Sequence, residues 1–101
     1  MKCVIWNVRG MNKRSRHRVI ISLIRSQKVD LVGFVETKVK ENKCCRVAKK
    51  FWKDCSYLFN YSSSPRGRVW LLWDPHIWNV SKVLESEEML TCFFSQQLGW
   101  M

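Results

Sequence analysis

Two short apolar runs, each followed by a polar residue, constrain the fold of this chain more than any other feature. The first run covers residues 2–6 and is followed by Asn7, and the second covers residues 29–35 and is followed by Glu36. Both runs are too short and too rich in β-branched residues for helices, so they predict buried strands. The segment between them has helical spacing, which predicts a β-α-β unit of the usual length of ~30 residues.

The polar residues at the ends of these strands are candidate ligands for a metal ion. The two strands of a β-α-β unit run parallel, so Asn7 and Glu36 are expected at the same edge of the sheet, where open α/β sheets bind their ligands. Magnesium prefers oxygen ligands and often takes only one or two carboxylates, with water and substrate phosphate completing its shell. Glu36 is therefore a candidate ligand, and Asn7 is a candidate to bind the cation or to orient a catalytic group.

Each of these two residues also has a structural interpretation that the sequence leaves open. Glu36 is equally compatible with an ion pair to a nearby lysine or with a cap on the following turn. Asn7 is compatible with a turn in which its side chain bonds its own backbone. The pairing of an amide and an acid at two parallel strand ends favours the metal site for both.

The rest of the chain continues as alternating helices and strands, which predicts an α/β fold. The periodicity predicts helices over residues 13–27 and 41–53 and strands over residues 57–61, 69–73, 78–83 and 90–94. The predicted buried stripe of the first helix is Arg16, Ile20, Leu23, Ile24 and Gln27, and that of the second is Cys44, Val47, Ala48 and Phe51. No repeat or linker divides the chain.

The net charge of +10 favours a polyanionic partner, with nucleic acid first and an anionic membrane surface second. A basic domain without a specific partner is the alternative. Arg66 and Arg68 precede a strand that holds Trp70 and Trp73, an arrangement suited to phosphate contact and base stacking. The alternative there is solvated arginines beside core tryptophans.

The cysteines and the N-terminus bear on the cellular compartment. The five cysteines include no C-x-x-C pair, and neither His17 nor His76 lies at zinc-ligand spacing from them. We expect all five to be reduced, as in an intracellular protein. Met1 leads directly into a strand and no apolar run is long enough to span a bilayer, so we expect neither secretion nor a membrane span. Neither histidine has an evident Ser or Cys partner for nucleophilic catalysis.

Three motifs occur in order and at fitting distances: VIWNVRG at residues 4–10, DLVGFVETK at residues 30–38 and GRVWLLW at residues 67–73. With these motifs, residues 1–92 resemble the beginning of an endonuclease/exonuclease/phosphatase domain. They are most similar to the endonuclease at the N-terminus of plant LINE-type retrotransposon polyproteins. The resemblance implies a truncated first half of a DNase I-like four-layer α/β sandwich, in which helices flank two sheets.

The resemblance also implies an activity and a partner. Members of the family hydrolyse phosphodiester or phosphomonoester bonds with a divalent metal, usually Mg²⁺, and the retrotransposon branch nicks chromosomal DNA. Glu36 matches the metal-binding glutamate, and Asn7 matches the strand-end asparagine that supports the metal and the catalytic carboxylate. The resemblance and the basic charge make DNA the expected partner, and the same analogy implies nuclear residence. The expected nucleic-acid contacts are Arg9, Lys38, Arg66 and Arg68.

The chain departs from the family pattern in two places. The third motif usually opens with two glycines, and Arg68 occupies the second position. The later motifs, which supply a phosphate-contacting Tyr, an Asp-x-Asn pair and an Asp-His pair, are not found after residue 92, and residues 93–101 read as a non-family tail. We therefore expect the fragment to be inactive alone, with a non-catalytic nucleic-acid-binding fragment or a relic reading frame as alternatives. An incomplete sandwich also exposes sheet faces and edges, which predicts poor solubility and self-association.

Overall fold

The computed structural model describes residues 3–9, 14–64 and 68–96, which form six strands and two helices. In chain order these are β1 (Cys3–Asn7), α1 (Arg14–Ser26), β2 (Leu31–Val35), α2 (Glu41–Phe51), β3 (Ser56–Phe59), β4 (Val69–Trp73), β5 (Trp78–Glu85) and β6 (Leu90–Gln96). The predicted α/β class is confirmed. Within the described ranges, neither helix is long and apolar enough to cross a bilayer.

The first four strands form one sheet in the order β1-β2-β4-β3. β1 and β2 are parallel, with Cys3 opposite Leu31 and Asn7 opposite Val35, so the predicted β-α-β unit is confirmed. β4 runs antiparallel to both β2 and β3. β5 and β6 pair with each other as a separate antiparallel hairpin.

The two helices cover one face of the sheet. Phe34 of β2 and Trp70 of β4 are fully buried beneath α2, where the ring of Phe51 lies 6.0 Å from that of Phe34 and 6.4 Å from that of Trp70. Cys44 and Ala48 are buried on the same stripe of α2, as the periodicity predicts. Full burial of an aromatic or aliphatic side chain contributes about 1.5–3 kcal/mol, so this stripe holds the helix on the sheet.

The buried stripe of α1 differs from the predicted one. Ile20 and Ile24 are buried as expected, but the third buried position is His17 rather than Arg16, and Leu23 is 39% exposed. The His17 ring lies edge-on against Phe51, with 5.0 Å between ring centroids. With this contact in place, α1 is oriented so that residues 17, 20 and 24 face the core.

The hairpin of β5 and β6 packs on the opposite face of the sheet. There Leu31, Leu71 and Trp73 form a small core with Trp78 and Val80 of the hairpin. The cover is partial, because Ile5 on β1 remains 73% exposed. β6 continues through Gln96, so the sequence boundary predicted at residue 92 falls inside a paired strand. A second complete sheet remains a prediction of the resemblance.

Candidate functional site at the sheet edge

The carboxyl ends of β1 and β2 lie side by side at one edge of the sheet. Asn7 is opposite Val35, and the backbone amide of Val8 donates to the Val35 carbonyl at 3.1 Å, which extends the pairing by one residue. Glu36 follows Val35 directly. Because neighbouring strands are separated by about 4.8 Å, Asn7 and Glu36 are neighbours across this edge.

β4 brings a further predicted residue to the same edge. It runs antiparallel to β2 with Val69 opposite Val35, so Arg68, immediately before Val69, lies at the end where Glu36 emerges. The sequence indicated only that Arg68 precedes a strand, and it gave no signal for this pairing. The edge therefore gathers Asn7, Arg9, Glu36, Lys38 and Arg68. Arg66 lies outside the described residues.

The connection after β2 has an unusual backbone. Glu36 and Lys38 have φ values of 58° and 55°, in the left-handed region, which costs a non-glycine residue about 1–2 kcal/mol. Thr37 between them is fully buried, whereas Lys38 is exposed. Residues held in this region concentrate at functional sites, where the surrounding structure maintains them.

Glu36 forms an ion pair with Arg9. Its Oε2 accepts a hydrogen bond from Arg9 Nε at 2.9 Å, and the two side chains are 39% and 78% exposed, respectively. The structural interpretation of Glu36 anticipated an ion pair with a lysine, and the partner is an arginine. An exposed pair of this kind contributes about 0–1 kcal/mol, so a competing ligand can displace it.

The oxygen atoms at this edge suit a hydrated magnesium ion. Glu36 offers carboxylate oxygens and Asn7 an amide oxygen, and Asn7 is exposed, so water can complete the coordination shell. The described part of the chain contains no group of three or more His, Cys, Asp or Glu residues placed to hold a metal. The donors therefore fit a largely hydrated ion in competition with Arg9, rather than a cage built by the protein alone.

No protein-family model matches the chain, and no curated protein matches its sequence. The resemblance to endonuclease/exonuclease/phosphatase domains therefore stays a prediction that rests on the three motifs. Residues 69–73 of the third motif form β4, whose Trp70 and Leu72 are fully buried.

The aromatic residues of this strand do not serve as a stacking platform for bases. Trp70 is fully buried, and Trp73 is 7% exposed and packs in the core beneath the hairpin. The prediction that bases stack on these two residues is therefore wrong. The alternative, that both are core residues, is confirmed. Arg68 lies with Nη1 3.7 Å from Glu88 Oε1, so its charge is partly balanced.

Burial makes two of the cysteines, Cys44 and Cys55, poor nucleophiles. All five are free. Burial, reinforced by the neighbouring Cys45 thiol 3.9 Å away, raises the pKa of Cys44 to about 11, and burial also raises the pKa of Cys55 to about 11. Because the thiolate is the reactive form, both groups are unreactive thiols near neutral pH.

Proposed function

We propose that this chain is the N-terminal part of a LINE-type endonuclease domain and that its sheet edge holds Mg²⁺ and a DNA phosphate. The observation that carries the proposal is the strand register that brings Asn7, Glu36 and Arg68 to one edge. Glu36 and Asn7 would hold the metal, which would polarise the phosphate in the intact domain, and a carboxylate elsewhere would activate water for hydrolysis of the phosphodiester.

The residues at the edge divide the binding between cation and phosphate. Glu36 and Asn7 supply oxygen ligands for the cation. Arg9 Nε lies 2.9 Å from Glu36 Oε2 in the free protein, and Arg9 would be available to a DNA phosphate if Glu36 held the cation instead. Lys38, two residues beyond Glu36, adds a second positive charge for the phosphate.

We expect the 101-residue polypeptide to bind DNA without cutting it, because its sequence contains neither an Asp-x-Asn nor an Asp-His pair. The test is nicking of supercoiled plasmid with Mg²⁺, compared with EDTA and with Glu36→Ala. We expect no nicking above the EDTA background. Metal-dependent nicking that disappears in Glu36→Ala would contradict this expectation.

The metal site itself is tested by titration with Mn²⁺, a paramagnetic substitute for Mg²⁺, followed through the resonance signal of the free ion. Glu36→Gln is expected to weaken binding about tenfold, and Arg9→Gln to strengthen it because a competing cation is removed. Lys82→Gln is the control, since it also releases a glutamate, Glu85, from an ion pair, at 3.0 Å in the hairpin. Unchanged binding in Glu36→Gln, with equal effects of Arg9→Gln and Lys82→Gln, would rule out a site at this edge.

A non-catalytic nucleic-acid-binding module is the second candidate, because the Arg9–Glu36 pair already satisfies the carboxylate. The two candidates differ in their response to magnesium at constant ionic strength. A metal-assisted phosphate site binds DNA more tightly when Mg²⁺ replaces Na⁺. A purely basic surface binds less tightly, because Mg²⁺ competes for the phosphates.

A further inference from the structure

A cavity of about 620 Å³ lies between α1 and α2, and its walls are strongly basic. Its five cations are Lys38, Lys40, Lys43, Arg46 and Lys50. None of the described residues that line it is acidic. The lining of the cavity therefore concentrates positive charge, with no carboxylate among the described residues that form it.

The helical repeat of α2 explains why three of these cations line up. Each residue turns the helix by about 100°, so Lys43, Arg46 and Lys50 fall within an arc of about 60°, with Glu41 about 180° away from Lys50. At 1.5 Å per residue the three span about 10 Å along the helix axis. Together with Lys38 in the connection after β2, they form a line that starts near the sheet edge and continues along the helix.

The cavity at the other end of α2 has a different charge balance. It measures about 480 Å³, and its charged lining residues are Arg25, Lys28, Lys49, Lys50 and Lys53 together with Asp30 and Asp74. The two carboxylates offset part of the positive charge there. The first cavity differs because its lining includes no carboxylate, although Lys50 contributes to both.

His17 holds one of these cations in place. It is 7% exposed, and its Nδ1 lies 3.1 Å from the Lys50 Nζ. An ammonium group can only donate, so the imidazole nitrogen accepts this bond. The contact restricts the Lys50 side chain in the free protein, which reduces the entropy it would lose on binding a ligand.

We propose that this cavity binds the phosphate backbone of a nucleic-acid strand, as a contact surface that extends from the sheet edge over the helical layer. A row of three cations about 10 Å long matches the closely spaced negative charges of one strand, so the cations can contact neighbouring phosphates. A membrane surface fits less well, because membrane-binding helices need an exposed apolar face and Val47 is the apolar residue lining this cavity. The choice of nucleic acid rests on the proposed function, whereas the cavity does not involve Asn7 or Glu36.

The test compares two triple variants of the full chain that remove equal charge. Lys43→Gln/Arg46→Gln/Lys50→Gln removes the line, and Arg25→Gln/Lys49→Gln/Lys53→Gln removes exposed cations from around the other cavity. Binding of a labelled single-stranded oligonucleotide is measured by fluorescence anisotropy over a salt series. We expect the first variant to bind at least tenfold more weakly and its salt slope to fall by about 2, at about 0.7 per lost contact. The control is expected to change affinity less than about threefold.

Lys50→Gln also removes the contact with His17, so a double variant separates binding from stability. Lys43→Gln/Arg46→Gln leaves that contact intact and is expected to lower the salt slope by about 1.4. Acetylation of the wild-type lysines provides an independent measurement. Bound oligonucleotide should protect Lys43 and Lys50 but leave Lys49 and Lys53 reactive.

The other outcomes overturn the inference in distinguishable ways. Equal loss of binding in the two triple variants would show that the strand does not bind specifically in this cavity. The conclusion that the chain binds DNA would still stand. Failure of the wild type to bind any oligonucleotide at low salt overturns both the inference and the proposed function. Binding to phosphatidylserine vesicles, with none to oligonucleotides, overturns the choice of ligand.

Discussion

Asn60 connects three segments of the chain through a single side chain. It is fully buried, and its Nδ2 donates to the carbonyls of Ser86 at 3.2 Å and Glu87 at 3.0 Å. Its Oδ1 accepts from the backbone amides of Arg68 at 3.1 Å and Val69 at 2.9 Å. The residue thus joins the end of β3 to the start of β4 and to the β5–β6 turn, and it positions Arg68 at the candidate site.

Replacing Asn60 with alanine is expected to destabilise the fold by about 3 kcal/mol, because buried carbonyl and amide groups lose their partners. Asn60→Asp retains the acceptor but loses the donor, so its destabilisation should diminish at acidic pH, where the protonated acid can donate. Urea unfolding followed by tryptophan fluorescence measures both effects. Asn42→Ala, at an exposed position of α2, is the control. If Asn60→Ala unfolded at the same urea concentration as the wild type, these hydrogen bonds would not be important for stability.

The left-handed backbone at Lys38 predicts opposite effects on stability and binding. Glycine adopts a φ of 55° without steric cost, so Lys38→Gly is expected to raise the free energy of unfolding by about 0.5–1 kcal/mol while weakening oligonucleotide binding. Lys49→Gly is the control, because Lys49 lies in the helical backbone of α2, outside the proposed binding cavity, and glycine in a helix costs about 1 kcal/mol. The control should lose stability. Equal changes in the two variants would contradict strain at Lys38.

At the scale of the elements, the sequence predicts local structure better than the pairing of distant strands. The apolar runs and their polar ends were sufficient to predict β1, α1, β2 and the shared edge of Asn7 and Glu36. The insertion of β4 between β2 and β3 was not predictable, because a continuous apolar strand does not specify its neighbour. The position of Arg68 depends on that insertion.

Two buried polar residues were missed for a related reason. Asn60 falls inside the strand predicted over residues 57–61, just before a serine-rich loop, and nothing in that pattern indicates its four hydrogen-bond partners. His17 lies among arginines and reads as solvent-exposed, yet its ring packs against Phe51 of the other helix. In both cases the tertiary contact determines the role, and the local pattern carries no signal for it.

The hairpin is joined to the loop after β3 by an interaction that depends on pH. Glu85 accepts hydrogen bonds from the Ser62 hydroxyl and, at 3.0 Å, from Lys82 Nζ. These bonds lower the pKa of Glu85 from its ordinary value of 4.5 to about 2. A lowered carboxyl pKa stabilises the folded state above the unfolded-state value, and the contribution is lost as the pH falls from 4.5 to about 2.

Comparison of the wild type with Glu85→Gln tests this coupling. The difference in unfolding free energy should be constant above about pH 5 and should disappear as the pH falls to about 2. Ser62→Ala removes the main cause of the low pKa of Glu85. In this variant the stabilising contribution of the Glu85 carboxylate should therefore disappear at a higher pH than in the wild type. A difference between wild type and Glu85→Gln that does not vary over this range would contradict the assignment.

At the scale of the whole molecule, the net charge opposes self-association, whereas the exposed apolar surface promotes it. The helical layer carries the basic cavity, whereas the strands carry exposed apolar side chains, with Ile5 73% and Phe93 67% exposed. β1 also lies at one end of the described strand order, and such edges can pair with other chains. The net charge of +10 keeps molecules apart at low salt, and salt screens this repulsion.

We therefore expect self-association that increases with both protein concentration and salt, and that proceeds through the strands rather than the helices. Ile5→Lys places a charge on the edge strand and should keep the chain monomeric at salt concentrations where the wild type associates. Val19→Lys adds the same charge at a 50% exposed position on α1 and should associate almost as readily as the wild type. Sedimentation velocity at two protein and two salt concentrations measures the difference. A wild type that stays monomeric in high salt and unfolds in one sharp cooperative transition would show that these strands need no further cover.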